Sequence, residues 1–92
     1  MIVYIAGPVT SCMETYKATF ERKAWELEQD GYTVINPALL PSTLPPESYM
    51  PICTAMIDAA DAIYMMDGWE WSSGAKLELA YAQYQGKTVI NP

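Results

Sequence analysis

Ile2 to Ala6 is a short β-branched and aromatic run that stops at Gly7-Pro8, the pattern of a buried strand closed by a turn. Ser11-Cys12-Met13-Glu14 has the spacing of a capping box and predicts a helix from there to about Asp30. Tyr16, Phe20, Ala24 and Leu27 recur along it at helical spacing, and Gly31 is placed to end it. Tyr32 to Ile35 reads as a second strand. Residues 36–48, NPALLPSTLPPES, hold four prolines and read as a loop, long enough in so small a chain to point to a functional role.

Pro51 fits the first turn of a second helix running to about Ala60, with Ile52, Met56 and Ala59 on one side. Ala62 to Met66 reads as a third strand, ended by Asp67-Gly68. A third helix covers roughly Gly74 to Gln85, Gly86 caps it, and Thr88 to Ile90 is the last strand. The order β-α-β-α-β-α-β predicts an α/β fold: a small doubly wound parallel sheet, strand order 2-1-3-4, with three helices on its two faces, Rossmann- or flavodoxin-like. Its ligand crevice should lie where the winding reverses, between strands one and three. The loops Gly7 to Ser11 and Asp67 to Gly74 would then line it. The segment G-x-TVINP occurs at 31–37 and again at 86–92. Each copy reads as a helix cap, a buried strand and a proline stop, and differing flanking helices argue for convergence over duplication.

Composition narrows the chemistry. At 92 residues, 51% hydrophobic and 17% charged, residues 1–92 form one globular domain. A chain this short buries about 60–65% of its unfolded surface, so oligomerisation would help it. There is no histidine, which excludes Ser-His and Cys-His nucleophile pairs and His-ligated metals. A net charge of −6 argues against a duplex nucleic-acid partner. Cys12 and Cys53 are far apart, so neither a disulfide framework nor a thiolate metal site is expected, and no cofactor is implied. The start MIVYIAGPV lacks the basic region of a signal peptide, and no apolar run is long enough to span a bilayer. A soluble, cytoplasmic protein is expected.

Glu78 is the least ordinary residue. On the third helix Ala75, Leu79 and Ala82 define the face packed on the sheet, and Glu78 lies only about 40° from Ala82. A carboxylate there is partly desolvated and one turn from the positive end of the helix, two opposing effects on its pKa. The bland alternative is a solvated helix glutamate. Leu77, Tyr81 and Tyr84 make the same helix apolar nearly all round, which calls for a second cover: another subunit, or the proline-rich loop. Ser72-Ser73-Gly74 offers free N–H groups and two hydroxyls to a phosphate, or merely caps the helix. Gly7-Pro8 allows a ligand close to the backbone, or simply turns the chain. Trp69 and Trp71 can stack on a base, or cover the core or an interface.

Taken together, VYIAGPVT (3–10), GYTVINPA (31–38) and DAADAIYMMDGWEWSSGAKLELAYA (58–82) resemble the nucleoside 2-deoxyribosyltransferase-like superfamily, and within it the short phage and bacterial DUF4406 domains. The resemblance implies chemistry at a nucleoside N-glycosidic bond. Glu78, four residues after Gly74 in a G-x-x-x-E-x-G/A-x-A pattern, takes the place of the nucleophile, and Tyr4 that of the residue orienting it. Ser72, six residues before Glu78, matches the phosphate-binding serine of the monophosphate hydrolases and tilts the substrate towards a 5′-monophosphate. The second carboxylate of active relatives falls at Cys53 or Thr54; Asp58, a turn on, or Asp67 or Glu70 would have to replace it. Gly7, Pro8, Ser72, Ser73 and Gly74 would hold phosphate or sugar, and Trp69 would line the base pocket. The expected protein is a homodimer or higher homo-oligomer that cleaves or transfers at a (deoxy)nucleoside or its 5′-monophosphate, without metal or cofactor. The alternative is a non-catalytic module that sequesters or senses a nucleotide-derived ligand.

Overall fold

The structure, a computed structural model, describes residues 1–91. Strands β1 (Ile2–Ala6), β2 (Thr33–Ile35), β3 (Ala62–Met65) and β4 (Thr88–Ile90) form one parallel sheet in the order β2-β1-β3-β4. Helices α1 (Tyr16–Gln29), α2 (Pro46–Ala59) and α3 (Ser73–Tyr84) alternate with them. This is the α/β fold and strand order expected from the pattern of the chain. Val3 pairs with Ala62 and Val34 on either side, and Ile63 with Val89, so β1 and β3 are the central strands.

Side chains alternate across a strand, and the two central strands divide the core accordingly. Val3, Ile5, Ala62 and Tyr64 point to one face and meet Tyr16, Phe20 and Leu27 of α1. Tyr4, Ala6, Ile63 and Met65 point to the other and meet Cys53 and Ile57 of α2 with Ala75 and Ala82 of α3. The alternation therefore assigns Tyr4 to the face that α2 and α3 cover.

The repeated G-x-TVINP segment has a structural reason. Its two strands, β2 and β4, are the two edges of the sheet, and both show an exposed Thr followed by a half-buried Val and Ile. They are edge strands rather than the buried ones expected. Gly31 and Gly86 precede them with φ of +93° and +74°, the left-handed turn that ends α1 and α3 at low cost only with glycine. The proline stop of the second copy, Pro92, lies outside the described residues.

Two helix starts differ from the sequence reading. Ser11 and Glu14 do not make a capping box: both are exposed, residues 10–12 form a 3-10 turn, and α1 begins at Tyr16 with no side-chain cap. The turns let Val9 and Cys12 pack on the α1-side core, which outweighs one cap. Helix α2 begins at Pro46, not Pro51. Pro45 is extended and Pro46 takes the first helical position, so Pro51 sits inside the helix. Its missing N–H forfeits one bond, to the carbonyl four residues back, close to the helix end. The proline-rich loop is correspondingly shorter and contains a 3-10 turn at Pro37–Leu39. It does not cover the outer face of α3, where Leu77 and Tyr84 are exposed. No described helix is long and apolar enough to cross a membrane.

Candidate active site

A cavity of about 420 Å³ opens at the carboxyl ends of the strands. It lies beside β1, where the winding reverses, as expected for an open α/β sheet. Five parts of the chain build its wall: Gly7, Val9 and Thr10 after β1; Tyr16 and Phe20 of α1; the proline-rich loop through Pro37, Pro41 and Leu44; Tyr49 and Met50 of α2; and Ser72 to Ala75 with Glu78 of α3. Gly7 leaves no spare room, since a Cβ there would meet the Met66 Cβ at 3.1 Å.

Among the described residues Glu78 is the one charged side chain on that wall, and it is only 6% exposed. The hydroxyl of Tyr4 donates to its Oε2 at 2.7 Å. Tyr4 is fully buried, so the sheet holds this donor rigidly. Burial pushes the Glu78 carboxyl up to about 7, and the polar hydrogens of Tyr4 and then Cys53 oppose that rise. Burial likewise raises the Tyr4 phenol, and the Glu78 charge adds to it. Burial raises the Cys53 thiol to about 11, so it is a neutral thiol at physiological pH. The result is a poised carboxylate: half ionised near neutrality, held by one strong hydrogen bond, and facing a cavity.

Ser72, Ser73 and Gly74 join Glu78 on the wall. Ser72 also caps α3, its Oγ accepting from the Ala75 N–H at 3.2 Å. Both roles weighed for it are therefore geometrically compatible. Ser72→Ala should cost about 1 kcal/mol of stability through the lost cap, read as a lower urea midpoint at unchanged slope.

Five other residues expected at the site or as its second acid are not brought to it. Asp58 lies at the far end of α2, where it accepts from Tyr81 Oη at 2.8 Å and Gln85 Nε2 at 2.9 Å, bracing α2 against α3. Pro8 packs beside Gly68, and Trp69 against the core between α2, α3 and the sheet. Asp67 faces a separate groove on the α1 side, and Glu70 is exposed on its 3-10 turn. The sequence reading in turn overlooked Tyr49, Met50, Tyr16 and Phe20 as wall residues. For Tyr49 the available signal was its place four residues before Cys53, on one face of a helix.

The family model for a domain of unknown function, DUF4406, matches residues 1–91. The chain belongs to the DUF4406 family. No curated protein sequence matches it. Among solved structures the DUF4406 chain is similar to a 2-deoxyribosyltransferase from Leishmania mexicana, with a TM-score of 0.77 and 22% identity over 98% of this chain and 62% of that one. It is also similar to the CMP N-glycosidase of Clostridium botulinum, with a TM-score of 0.71 and 22% identity over 99% of this chain and 67% of that one. These likenesses establish a shared fold; the chain spans less than two thirds of the transferase's length. Among the described residues no three potential metal ligands cluster.

Proposed function

We propose that this DUF4406 domain cleaves or transfers at the N-glycosidic bond of a (deoxy)nucleoside or its 5′-monophosphate, with Glu78 as the nucleophile. The observation that carries this reading is the buried Tyr4–Glu78 pair at the cavity wall. A cavity that only held a ligand would gain nothing from a desolvated carboxylate there. In the proposed reaction Glu78 attacks the anomeric carbon through an oxocarbenium-like transition state and forms a glycosyl ester. Water or a second base then takes the sugar. Tyr4 holds the attacking oxygen in place and favours its ionised form. Backbone N–H groups at the start of α3, with Ser72 and Ser73, face whatever anionic group the substrate carries. Self-association through the exposed Leu77 and Tyr84 face of α3 belongs to the same proposal.

A binding module is the second reading, and one observation favours it: among the described residues no second carboxylate lines the cavity. Chromatography of free base separates the two. Incubation with nucleosides, deoxynucleosides and their 5′-monophosphates should release base from at least one class. The rate should climb with pH to a plateau above about 7, where Glu78 is ionised. Binding without release from any compound would decide for the module.

A further inference from the structure

Departure of a neutral base needs a proton, and the carboxylates that could supply it are turned away from the cavity. Asp58 is tied to Tyr81 and Gln85, and neither Asp67 nor Glu70 reaches the wall. Of the described residues lining the cavity, Tyr16 and Tyr49 carry phenol hydroxyls, more acidic as a class than the serine and threonine alcohols beside them, and Glu78 is committed to bond formation. Tyr16 belongs to the α1 core, where its ring packs edge-on against Phe20. Tyr49 is different. It stands four residues before Cys53 on α2, packs against the cluster that contains Tyr4, and lines the cavity together with Glu78. Its hydroxyl is weakly held, by a 3.5 Å contact to the Pro37 carbonyl, which already accepts from Leu40 N at 3.1 Å, and by the neighbouring Cys53 thiol.

We propose, building on the glycosidic reaction above, that the Tyr49 hydroxyl is the acid that protonates the departing base. As the Glu78 carboxylate bonds to the anomeric carbon, the carbon–nitrogen bond breaks and its electron pair stays on the base nitrogen. The Tyr49 proton moves to that base. One negative charge is thus transferred from Glu78, now a neutral ester, to the Tyr49 phenolate. Burial, and less strongly the Glu78 charge, hold the Tyr49 phenol protonated in the resting site. Esterification removes that charge at the moment the proton must leave, while the burial remains. In the second half the phenolate takes a proton from water, the hydroxide attacks the anomeric carbon, and the Glu78 carboxylate is expelled.

The test uses leaving groups. Whichever base the native protein releases is compared with an activated counterpart on the same sugar: a 7-methylpurine, already cationic, or a 5-fluoropyrimidine. Tyr49→Phe should lose about 10² to 10⁴-fold on the ordinary base, the usual contribution of a positioned acid, and within about tenfold of nothing on the activated one. Equal losses on both would assign Tyr49 a structural role and overturn the proposal, as would full activity on the ordinary base. Tyr16→Phe, run alongside, should not show the leaving-group split. If the native protein releases no base even from the activated compounds, the glycosidic reading itself fails and takes this one with it.

Discussion

Glu78→Gln should abolish base release, by at least about a thousand-fold, while leaving ligand binding within a few-fold of the native protein. Glutamine keeps the size and planarity of the side chain and still offers an oxygen to the Tyr4 hydroxyl, whose bond to Glu78 measures 2.7 Å. The core around it, from Tyr4 through Cys53 and Ile57 to Ala75 and Ala82, has no reason to repack. What disappears is, among the described residues, the only charged oxygen on the cavity wall that can bond to the sugar. Chromatography after long incubation measures the first quantity, and calorimetric titration of the same ligand measures the second. Release within tenfold of the native rate would remove Glu78 from the role of nucleophile. Joint loss of binding and release would instead make it a binding group.

Much of this arrangement was legible in the chain because its signals are periodic. Tyr16, Phe20 and Leu27 at helical spacing did become the buried stripe of α1. Gly31 and Gly86 marked both helix ends. Glu78 stood out because a carboxylate beside Ala75 and Ala82 sits on the packed face, where desolvation follows from the helix wheel alone. The misreadings came from local signals that tertiary contacts outvoted. Ser11 and Glu14 have a capping-box spacing, yet Val9 and Cys12 gain more by packing on the core. Pro51 looks like a helix start, but Pro45 and Pro46 start the helix five residues sooner. That error hid Tyr49, which falls between the loop expected at 36–48 and the helix expected from Pro51, and so is not placed on the face it shares with Cys53. Asp58 and Trp69 were placed by their distance along the chain from Glu78. Their directions depend on how α2 and the third loop pack, which spacing does not determine.

The charge that makes Glu78 useful should also make the fold pH-dependent. Its carboxyl titrates at 4.5 when unperturbed and at about 7 in the folded protein, chiefly through burial. Between those values the native state holds a proton that the unfolded chain has released, so stability must fall as pH rises. At about 1.36 kcal/mol per pH unit, the interval amounts to roughly 3 kcal/mol, present in full below the unfolded value and lost by pH 7 to 8. This is a large fraction of what a domain of this size can spare. Glu78→Gln has no proton to lose. Its stability in urea should match the native protein at pH 4 to 5 and exceed it by roughly 3 kcal/mol at pH 8. Other carboxylates titrate alike in both proteins, so the difference between the two curves isolates this one group. Tyr4→Phe should act in the opposite sense, since it removes the strongest influence opposing the rise and moves the upper end of the window to still higher pH. Parallel curves for the native protein and Glu78→Gln would mean that the carboxyl titrates alike in the folded and unfolded states. The helix dipole and the Tyr4 bond would then have offset burial, and the nucleophile would be fully ionised well below neutrality.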